Sequence, residues 1–285
     1  MENSTGVGQA APNHSTTLAE RLGAPSAGLP SLRDTLLGSV REPADPDTWE
    51  AICLVVRLVI TPDGRALRTI ITGRRRQISG VYPSRKAGRG LAFESMNEHA
   101  FFHHSEVDTR VVDYLAQPFR FEFVIDGTLR TYIADCVRQL ADGSIEVVEV
   151  KHDARALKDP DYALKLHWVR EICRVLGWSF RVVLGERLRE RSVRNDNVQS
   201  VQQARFVQYS GSDVFVAADA CRQTGATTLG VLADAFGDAR LGRAKAYAMM
   251  VGRLVDIELD GRLSPQTPVR WIGQLGGAQR QGGAA

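Results

Sequence analysis

The pattern of hydrophobic and polar positions predicts an ordered chain from about residue 49 onward. Residues 1–48 are rich in Ser, Gly, Ala, Pro and Thr and have no sustained apolar period. Only a short helix near Ser31–Val40 is expected there, and we interpret the rest as a mostly disordered leader. The first β-branched run, AICLVVRLVI, ends at a turn formed by Thr61–Gly64 and indicates the first strand.

Strand and helix patterns alternate in the next part of the chain. The segment 93–107, FESMNEHAFFHHSEV, has apolar residues at steps of three or four and predicts a helix. After VVDYLAQPF, three β-rich runs are separated by Asp126–Gly127 and Asp142–Gly143, which is typical of a β-meander. A helix over Asp161–Leu176, ended by Gly177, precedes a strand over SFRVVLG. The order helix, three strands, helix, strand predicts an α/β domain with a mixed sheet.

A change of pattern near residue 189 predicts a second, smaller domain. The polar stretch ERLRERSVRNDNVQSVQQ is interpreted as a linker or a solvated helix. Two helical patterns then flank Gly237–Asp238, and a hairpin follows with Asp260–Gly261 at its tip. Helix, turn, helix and a two-stranded wing predict a winged-helix domain over residues 189–272. The α/β domain is assigned to 49–188, and residues 273–285 are expected to be a flexible tail.

Composition excludes several classes of protein. The chain has 285 residues, of which 44% are hydrophobic and 24% are charged, an ordinary globular composition. No window approaches about 18 consecutive apolar residues, and the first residues lack a basic and an apolar signal region, so we expect a cytoplasmic protein. The four cysteines lie far apart without metal-binding spacing and are expected to be buried, reduced thiols. A net charge of +3 permits nucleic-acid binding without requiring it.

Asp135, Glu149 and Lys151 form the most informative pattern in the sequence. Glu149 and Lys151 are two residues apart on a predicted strand, so both side chains project from one face. Carboxylates supply the hard oxygen ligands of Mg²⁺, which activates water and neutralises charge on a phosphate. Lys151 can orient the water and stabilise the transition state. With Glu98 from the preceding helix, the set predicts metal-dependent phosphodiester hydrolysis; the alternative is an exposed cross-strand ion pair.

The register of the last two strands of the meander decides which acidic residues meet. If the ADG turn has three residues and its glycine is left-handed, Leu140 pairs with Ser144 and Asp135 lies opposite Glu149. A two-residue turn would instead align Asp135 with Val150. We prefer the first register because it gives the cleaner apolar face.

Three segments of the chain resemble a known family. They are ITGRRRQISGVYPSRKAGRGLAFESMNEHAFF, VVDYLAQPF and YIADCVRQLADGSIEVVEVK. Their order and spacing resemble the N-terminal catalytic domain of TnsA-type transposon endonucleases, which have the restriction-endonuclease-like PD-(D/E)xK fold. The resemblance covers about residues 70–188, and the predicted winged helix stands where the family has one. Ala134 departs from the wider superfamily, which often has Pro at this place.

The resemblance implies a set of site residues. The implied catalytic residues are Glu98, Asp135, Glu149 and Lys151, and the implied metal ligands are Glu98, Asp135, Glu149 and Val150. The spacing to Gln117 of the QP motif favours Glu98 over its neighbour Glu94. Gln117 and Lys165 are expected to lie around this set; for Lys165 the alternative is a side chain that only reaches solvent. The implied cofactor is Mg²⁺, for which Mn²⁺ substitutes.

The family's activity is an expectation for this chain. TnsA-type proteins cleave the non-transferred strand at the 5′ ends of a transposon, a DDE transposase of the TnsB type cuts and joins the other strand, and an AAA+ regulator of the TnsC type supplies target control. Double-stranded DNA and these two proteins are the expected partners. The alternatives are a stand-alone defence or repair nuclease and a non-catalytic DNA-binding module.

Two groups of basic residues are predicted to contact DNA. The stretch 65–89 is almost uncompensated by acidic residues, which favours contacts with the phosphate backbone. Its predicted contact residues are Arg74, Arg75, Arg76, Ser84, Arg85 and Lys86. Arg240 and Arg243 lie near the start of the second helix of the winged helix, the end that enters a major groove; docking of a protein is the alternative. His99 and His103 are interpreted as packing residues rather than zinc ligands.

Overall fold

The computed structural model of the protein describes residues 29–38, 56–60, 66–67, 78–223 and 227–273. They form a mixed α/β structure in which antiparallel and mixed sheets are flanked by helices. No helix in these ranges is long and apolar enough to cross a membrane.

The first unit of the structure contains three sheets. Its elements are α1 (Leu32–Gly38), β1 (Val56–Ile60), β2 (Gly80–Ser84), β3 (Arg89–Phe93), α2 (Met96–Val107), β4 (Val111–Ala116), β5 (Phe119–Ile125), β6 (Thr128–Ile133), β7 (Cys136–Leu140), β8 (Ile145–Lys151), a 3₁₀ helix (Ala154–Lys158), α3 (Pro160–Val175) and β9 (Ser179–Leu184). The predicted helix over Asp161–Leu176 is confirmed, with Gly177 in the left-handed region at φ 72°. The helix predicted over 93–107 is present but begins at Met96, because Phe93 ends β3 and Ser95 is the N-cap.

The central sheet has the strand order β4-β7-β8-β9. Its first three strands are antiparallel, and β9 runs parallel to β8 because α3 crosses over between them. On one face, the Arg138 guanidinium lies 5.3 Å from the ring centroid of Phe101 in α2. Glu149 projects to the opposite face and contacts Tyr162 of α3. The sheet is therefore covered by one helix on each face.

A second sheet, β1-β5-β6, continues from the central one through a bend. β4 pairs with β7 in the central sheet, and β5 pairs with β6 in the second sheet. The chain therefore passes from one sheet to the other twice, between β4 and β5 and between β6 and β7. The bend lies at Gln117, whose φ is 46°, and its N–H donates to the Asp135 carbonyl at 3.2 Å. The prediction of three strands between the two helices was wrong: there are five, since VVDYLA is a strand and the middle run divides at Asp135.

Part of the predicted leader belongs to the core of this unit. The short helix expected near Ser31–Val40 is present as α1, and Leu32 and Leu36 are fully buried in the main core cluster. The Gln139 side-chain amide on β7 donates to the Pro30 carbonyl and to the Thr35 hydroxyl, both at 3.2 Å. These contacts fix α1 beside the central sheet.

The second unit contains five helices and a small sheet. Its described elements are α4 (Gly185–Arg189), α5 (Val193–Gln203), α6 (Gly211–Gln223), β10 (Thr227–Thr228), α7 (Leu229–Ala235), α8 (Ala239–Val251), β11 (Val255–Ile257) and β12 (Pro268–Trp271). The predicted turn between two helices is present, with Gly237 at φ 88°. Asp260 and Gly261 lie in the loop between β11 and β12, and β12 also pairs with β10. The sequence interpretation missed α6.

Arg85 joins the two units. It follows β2, yet its guanidinium donates to the main-chain carbonyls of Arg205 at 2.9 Å and Ala248 at 3.1 Å, and to the Tyr209 hydroxyl at 2.8 Å. Its side chain also lies over the Tyr209 ring at 4.9 Å. These three acceptors all belong to the second unit, so one buried cation connects it to the first.

A fully buried carboxylate, Glu106 near the end of α2, holds Arg85 in this position. It accepts hydrogen bonds from the Ser84 hydroxyl, the Arg85 main-chain N–H and the Tyr114 hydroxyl, each at 2.7 Å. The Lys86 N–H donates to it at 3.3 Å. Strands β2 and β4 and helix α2 therefore meet at one acceptor group.

We predict that Leu36→Ala destabilises the protein by about 2–5 kcal/mol, because the substitution leaves a cavity in the core. Leu37→Ala is the matched control: Leu36 is 1% exposed and Leu37 is 43% exposed on the same helix. Chemical denaturation of both variants measures the difference. Equal, small effects would contradict the packing of α1 against the core.

Candidate active site

The hairpin between β7 and β8 sets the register of the candidate site. Cys136 pairs with Val148, the Leu140 N–H donates to the Ser144 carbonyl at 2.9 Å, and Gly143 has a φ of 84°. These features confirm the three-residue turn. Continuing the same register by one residue places Asp135 opposite Glu149, as the sequence predicted.

Glu149 has two carboxylate oxygens in different situations. Its Oε1 accepts a hydrogen bond from the Tyr162 hydroxyl at 2.5 Å and an ion pair from Lys151 Nζ at 2.6 Å. Its Oε2 is buried and has no hydrogen-bond partner, and the residue is only 4% exposed. Burial raises the pKa of the nearby Tyr132 hydroxyl, and the charge of Glu149 raises it further, but neither this hydroxyl nor Glu149 Oε2 has a hydrogen-bond partner among the described residues. A buried oxygen without a partner is costly unless a ligand completes it.

Asp135 is held in place by the neighbouring strand. Its Oδ2 accepts a hydrogen bond from the Val150 N–H at 2.8 Å. Burial raises the pKa of Asp135 well above its ordinary value, and the nearby charges of Glu149 and Glu98 raise it further. The Val150 hydrogen bond and Lys151 act in the opposite direction, but they do not outweigh these causes.

Glu98 has a local structural role as well as a place near the other two carboxylates. Ser95 is the N-cap of α2, and its hydroxyl donates to Glu98 Oε1 at 3.0 Å; the Glu94 N–H donates to Oε2 at 2.9 Å. The Glu98 N–H also donates to the Ser95 hydroxyl at 3.2 Å, so the arrangement is a variant of a capping box in which the return bond comes from Glu94 rather than from the N-cap itself. Burial raises the pKa of Glu98, and the charges of Glu94 and Glu149 contribute to the rise. The structure therefore brings the three predicted carboxylates within electrostatic reach of one another.

Lys151 and Lys165 both lie over the ring of Tyr162, each with Nζ 4.9 Å from the ring centroid. Lys165 therefore packs on the same ring as Lys151, and its reach into the site stays a prediction. Sequence reasoning missed Tyr162. Its signal was its place one turn before Leu166, at the start of the buried stripe of α3.

Gln117 and Val150 contact the candidate site through the main chain. The Gln117 N–H donates to the carbonyl of Asp135, and its own side chain is buried, with Oε1 lacking a hydrogen-bond partner. Val150 donates its N–H to the Asp135 carboxylate. As an apolar residue, Val150 has only its carbonyl to offer to a metal.

Two carboxylates of the candidate site have the donor chemistry that a divalent cation needs. Among the described residues, no group of three or more His, Cys, Asp or Glu side chains is arranged to hold a metal ion. The partly buried Asp135 and the buried Glu149 are hard-oxygen donors, and Glu149 Oε2 lacks a hydrogen-bond partner. A cation beside them would offset the repulsion that raises the pKa of Asp135. The pair fits a metal, while Glu98 remains engaged in its capping box.

The structure differs from the expectation for the basic stretch. Arg74, Arg75 and Arg76 lie outside the described residues. Ser84 and Arg85 are 2% and 5% exposed, and their polar groups are bonded inside the protein. Lys86 Nζ donates to the carbonyls of Ser105 and Asp108, and burial lowers its pKa to about 7. Contact of these last three with DNA phosphates is at odds with this placement, because folding has already used their donors.

Arg240 and Arg243 lie on the first half of α8 and are exposed. Three residues apart on a helix, they share one side of it. Arg243 lines a cavity of about 520 Å³ together with Arg262 of the β11–β12 loop and Tyr247. Their contact with DNA stays a prediction.

The predicted packing roles of two kinds of residue are confirmed. His103 is buried and its Nδ1 lies 2.8 Å from the Gln199 amide, and His99 packs against the ring of Phe93 at 4.7 Å. Burial lowers the pKa of His103 to about 4. The three described cysteines are buried free thiols: Cys136, Cys173 and Cys221. Cys53 lies outside the described residues.

Comparisons with known proteins give no family for this chain. No protein-family model matches it, and no curated protein sequence matches it. The resemblance to TnsA-type endonucleases therefore rests on the residues quoted above and stays a prediction.

We predict that Asp135→Asn stabilises the metal-free protein above the ordinary carboxyl pKa of 3.8. A raised pKa in the fold means that stability is fully present below 3.8 and is lost as the pH rises through the raised value. An asparagine at this position does not ionise and loses no stability as the pH rises. The Tm of the variant minus the Tm of the wild type should therefore grow from near zero at low pH to a plateau. Each kcal/mol corresponds to about 2–4 °C.

Thermal melts in EDTA across this pH range test the prediction. Asp126→Asn, at an exposed turn with a φ of 49°, is the matched control and should show no such trend. A Tm difference for Asp135→Asn that is the same at every pH would contradict the assigned cause.

Proposed function

We propose that this protein is a metal-dependent DNA endonuclease and the strand-cleaving subunit of a heteromeric transposase. One observation carries the nuclease part of the proposal: the partly buried Asp135 lies opposite the buried Glu149 across a hairpin, and Lys151 is bonded to Glu149. A carboxyl group with a strongly raised pKa, clustered with a second carboxylate and a cation, marks a candidate catalytic site.

The element order supports the finer assignment of fold. α2, the antiparallel strands β4, β7 and β8, helix α3 and the parallel strand β9 follow one another as the nuclease interpretation expects. Asp135 and Glu149 lie at the end of the central sheet, where the chain passes from that sheet into the second sheet. We assign this unit to the restriction-endonuclease-like fold. We assign α7, α8 and the β10–β12 sheet to a winged-helix-like domain.

Each residue of the site has a role in the proposed reaction. Asp135 and Glu149 would hold Mg²⁺ or Mn²⁺, with the carbonyl of Val150 as a further donor. Glu98 would join them only by exchanging its bonds to Ser95 and Glu94 for the metal. The bound ion would lower the pKa of a water molecule and neutralise charge on the phosphate. Lys151, a compact cation beside Glu149, would hold the attacking water and stabilise charge on the phosphate oxygens. The main-chain bonds of Gln117 and Val150 fix Asp135 for this task.

The transposase part of the proposal is supported by the sequence resemblance. The expected partners are double-stranded DNA at the transposon ends, a DDE transposase and an AAA+ regulator. A stand-alone defence or repair nuclease would use the same residues. A non-catalytic DNA-binding module is disfavoured, because a scaffold gains nothing from a buried carboxylate oxygen without a partner.

We predict that the protein nicks a transposon-end duplex only with Mg²⁺ or Mn²⁺, and that Asp135→Asn and Lys151→Gln lower the rate by about 100-fold or more. Lys151→Gln should keep metal binding, because the carboxylates remain. Asp126→Asn, exposed and away from the hairpin pair, should cleave like the wild type.

The assay is run with and without the DDE transposase, on transposon-end and scrambled duplexes. Cleavage confined to transposon ends and dependent on the transposase would support the transposase subunit. Cleavage of both duplexes without it would favour the stand-alone nuclease. Absence of metal-dependent cleavage under all four conditions would overturn the proposal.

A further inference from the structure

Tyr162 occupies a well-fixed place beside the candidate site. It lies in the first turn of α3, whose N-cap, Asp159, accepts hydrogen bonds from the N–H groups of Asp161 at 3.0 Å and Tyr162 at 3.3 Å. The packing of α3 against the core comes from other residues further along the helix: Leu166, Val169, Ile172 and Cys173. Tyr162 itself is only partly buried and packs against the edge of this core.

The Tyr162 hydroxyl makes the two oxygens of Glu149 unequal. Its bond of 2.5 Å and the Lys151 ammonium at 2.6 Å both go to Oε1. Oε2, buried on the same group, receives no hydrogen bond from a described residue. One oxygen is therefore held by the protein, and the other is left for a ligand.

The Tyr162 ring has a second contact with the site. The ammonium groups of Lys151 and Lys165 each lie 4.9 Å from its centroid, within the range of a cation–π interaction. A flexible lysine has many rotamers, and this contact restricts those of Lys151 beside Glu149. The Tyr162 side chain thus contacts and orients both the carboxylate of Glu149 and the ammonium group of Lys151.

We propose that Tyr162 is a positioning residue of the nuclease site: its hydroxyl fixes Glu149 so that Oε2 is presented to a divalent cation, and its ring holds Lys151. This inference rests on the proposed nuclease function. Groups that orient a metal ligand from outside the ligand set commonly change metal affinity by about 10–100-fold when removed.

The first test measures metal binding without any reaction. Mn²⁺ is titrated calorimetrically into the full-length protein, into Tyr162→Phe and into Tyr82→Phe. Tyr162→Phe keeps the ring and removes the hydroxyl, so its Kd should rise about tenfold or more. Tyr82→Phe removes another buried hydroxyl, one that bonds to no described residue, and should bind like the wild type. A Kd for Tyr162→Phe within twofold of the wild type would overturn the proposal.

The second test separates the ring from the hydroxyl. Under saturating Mn²⁺, Tyr162→Phe should recover most of its cleavage rate, because the metal then fills the site despite weaker binding. Tyr162→Leu, which also frees Lys151, should keep a lowered kcat at the same metal concentration. Equal kcat for both variants would overturn the role of the ring, and Tm values in EDTA show whether either variant is merely less folded.

The outcomes distinguish this inference from the function on which it rests. A wild-type protein that binds Mn²⁺ and cleaves DNA, with a Tyr162→Phe variant that does both equally well, would overturn the positioning role alone. A wild-type protein that neither binds Mn²⁺ nor cleaves would overturn both.

Discussion

The three-residue turn between β7 and β8 is the constraint on which the candidate site depends. Strand side chains alternate between faces, so a slip of one residue would move Glu149 to the face covered by α2. The left-handed Gly143, at φ 84°, permits the turn that prevents this slip. Asp135, at the start of the same hairpin, accepts a hydrogen bond from the Val150 N–H in this register and lies opposite Glu149. Local backbone geometry at the turn thus decides which charges meet five residues beyond the Leu140–Ser144 pair.

The two faces of the same hairpin differ in how their charged side chains are paired: one face carries an ion pair and the other carries two carboxylates. On the α2 face, Arg138 Nε donates to Glu146 Oε2 at 2.7 Å, and both side chains are almost completely buried as a satisfied ion pair. On the α3 face, Asp135 and Glu149 lie together, and burial, followed by the charge of Glu149, raises the pKa of Asp135. Removing one partner from the first pair would leave an unpaired buried charge. The second pair already carries an electrostatic cost of this kind within the fold.

The sequence predicted the parts of the structure that local signals determine. The turn glycines, the helix end at Gly177 and the register of the hairpin all follow from residue type and spacing. The exchange of strands between two sheets at Gln117 was not predictable, since a glutamine gives no sign that it will adopt a φ of 46°. The burial of Arg85 and Lys86 was not predictable either, because a run of basic residues has the same sequence pattern whether its donors face solvent or buried carbonyls. Glu106, about 20 residues further along the chain, binds the main chain of this segment and so places its side chains inside the protein.

Arg85 is one of the cations that bridge the two units, together with Arg205 and Arg253, and this bridging has a geometric consequence for any duplex bound across the units. Arg85 donates to the Ala248 carbonyl in α8, the helix that carries Arg240 and Arg243 at its other end. Its main-chain N–H is bonded to Glu106, on the helix that also carries Glu98. The exposed arginines and the buried carboxylates are therefore linked through a short chain of buried hydrogen bonds rather than through a flexible tether. In a nuclease built this way, the fold itself would fix the distance along the DNA between the base pairs that the protein binds and the phosphodiester bond that it cuts.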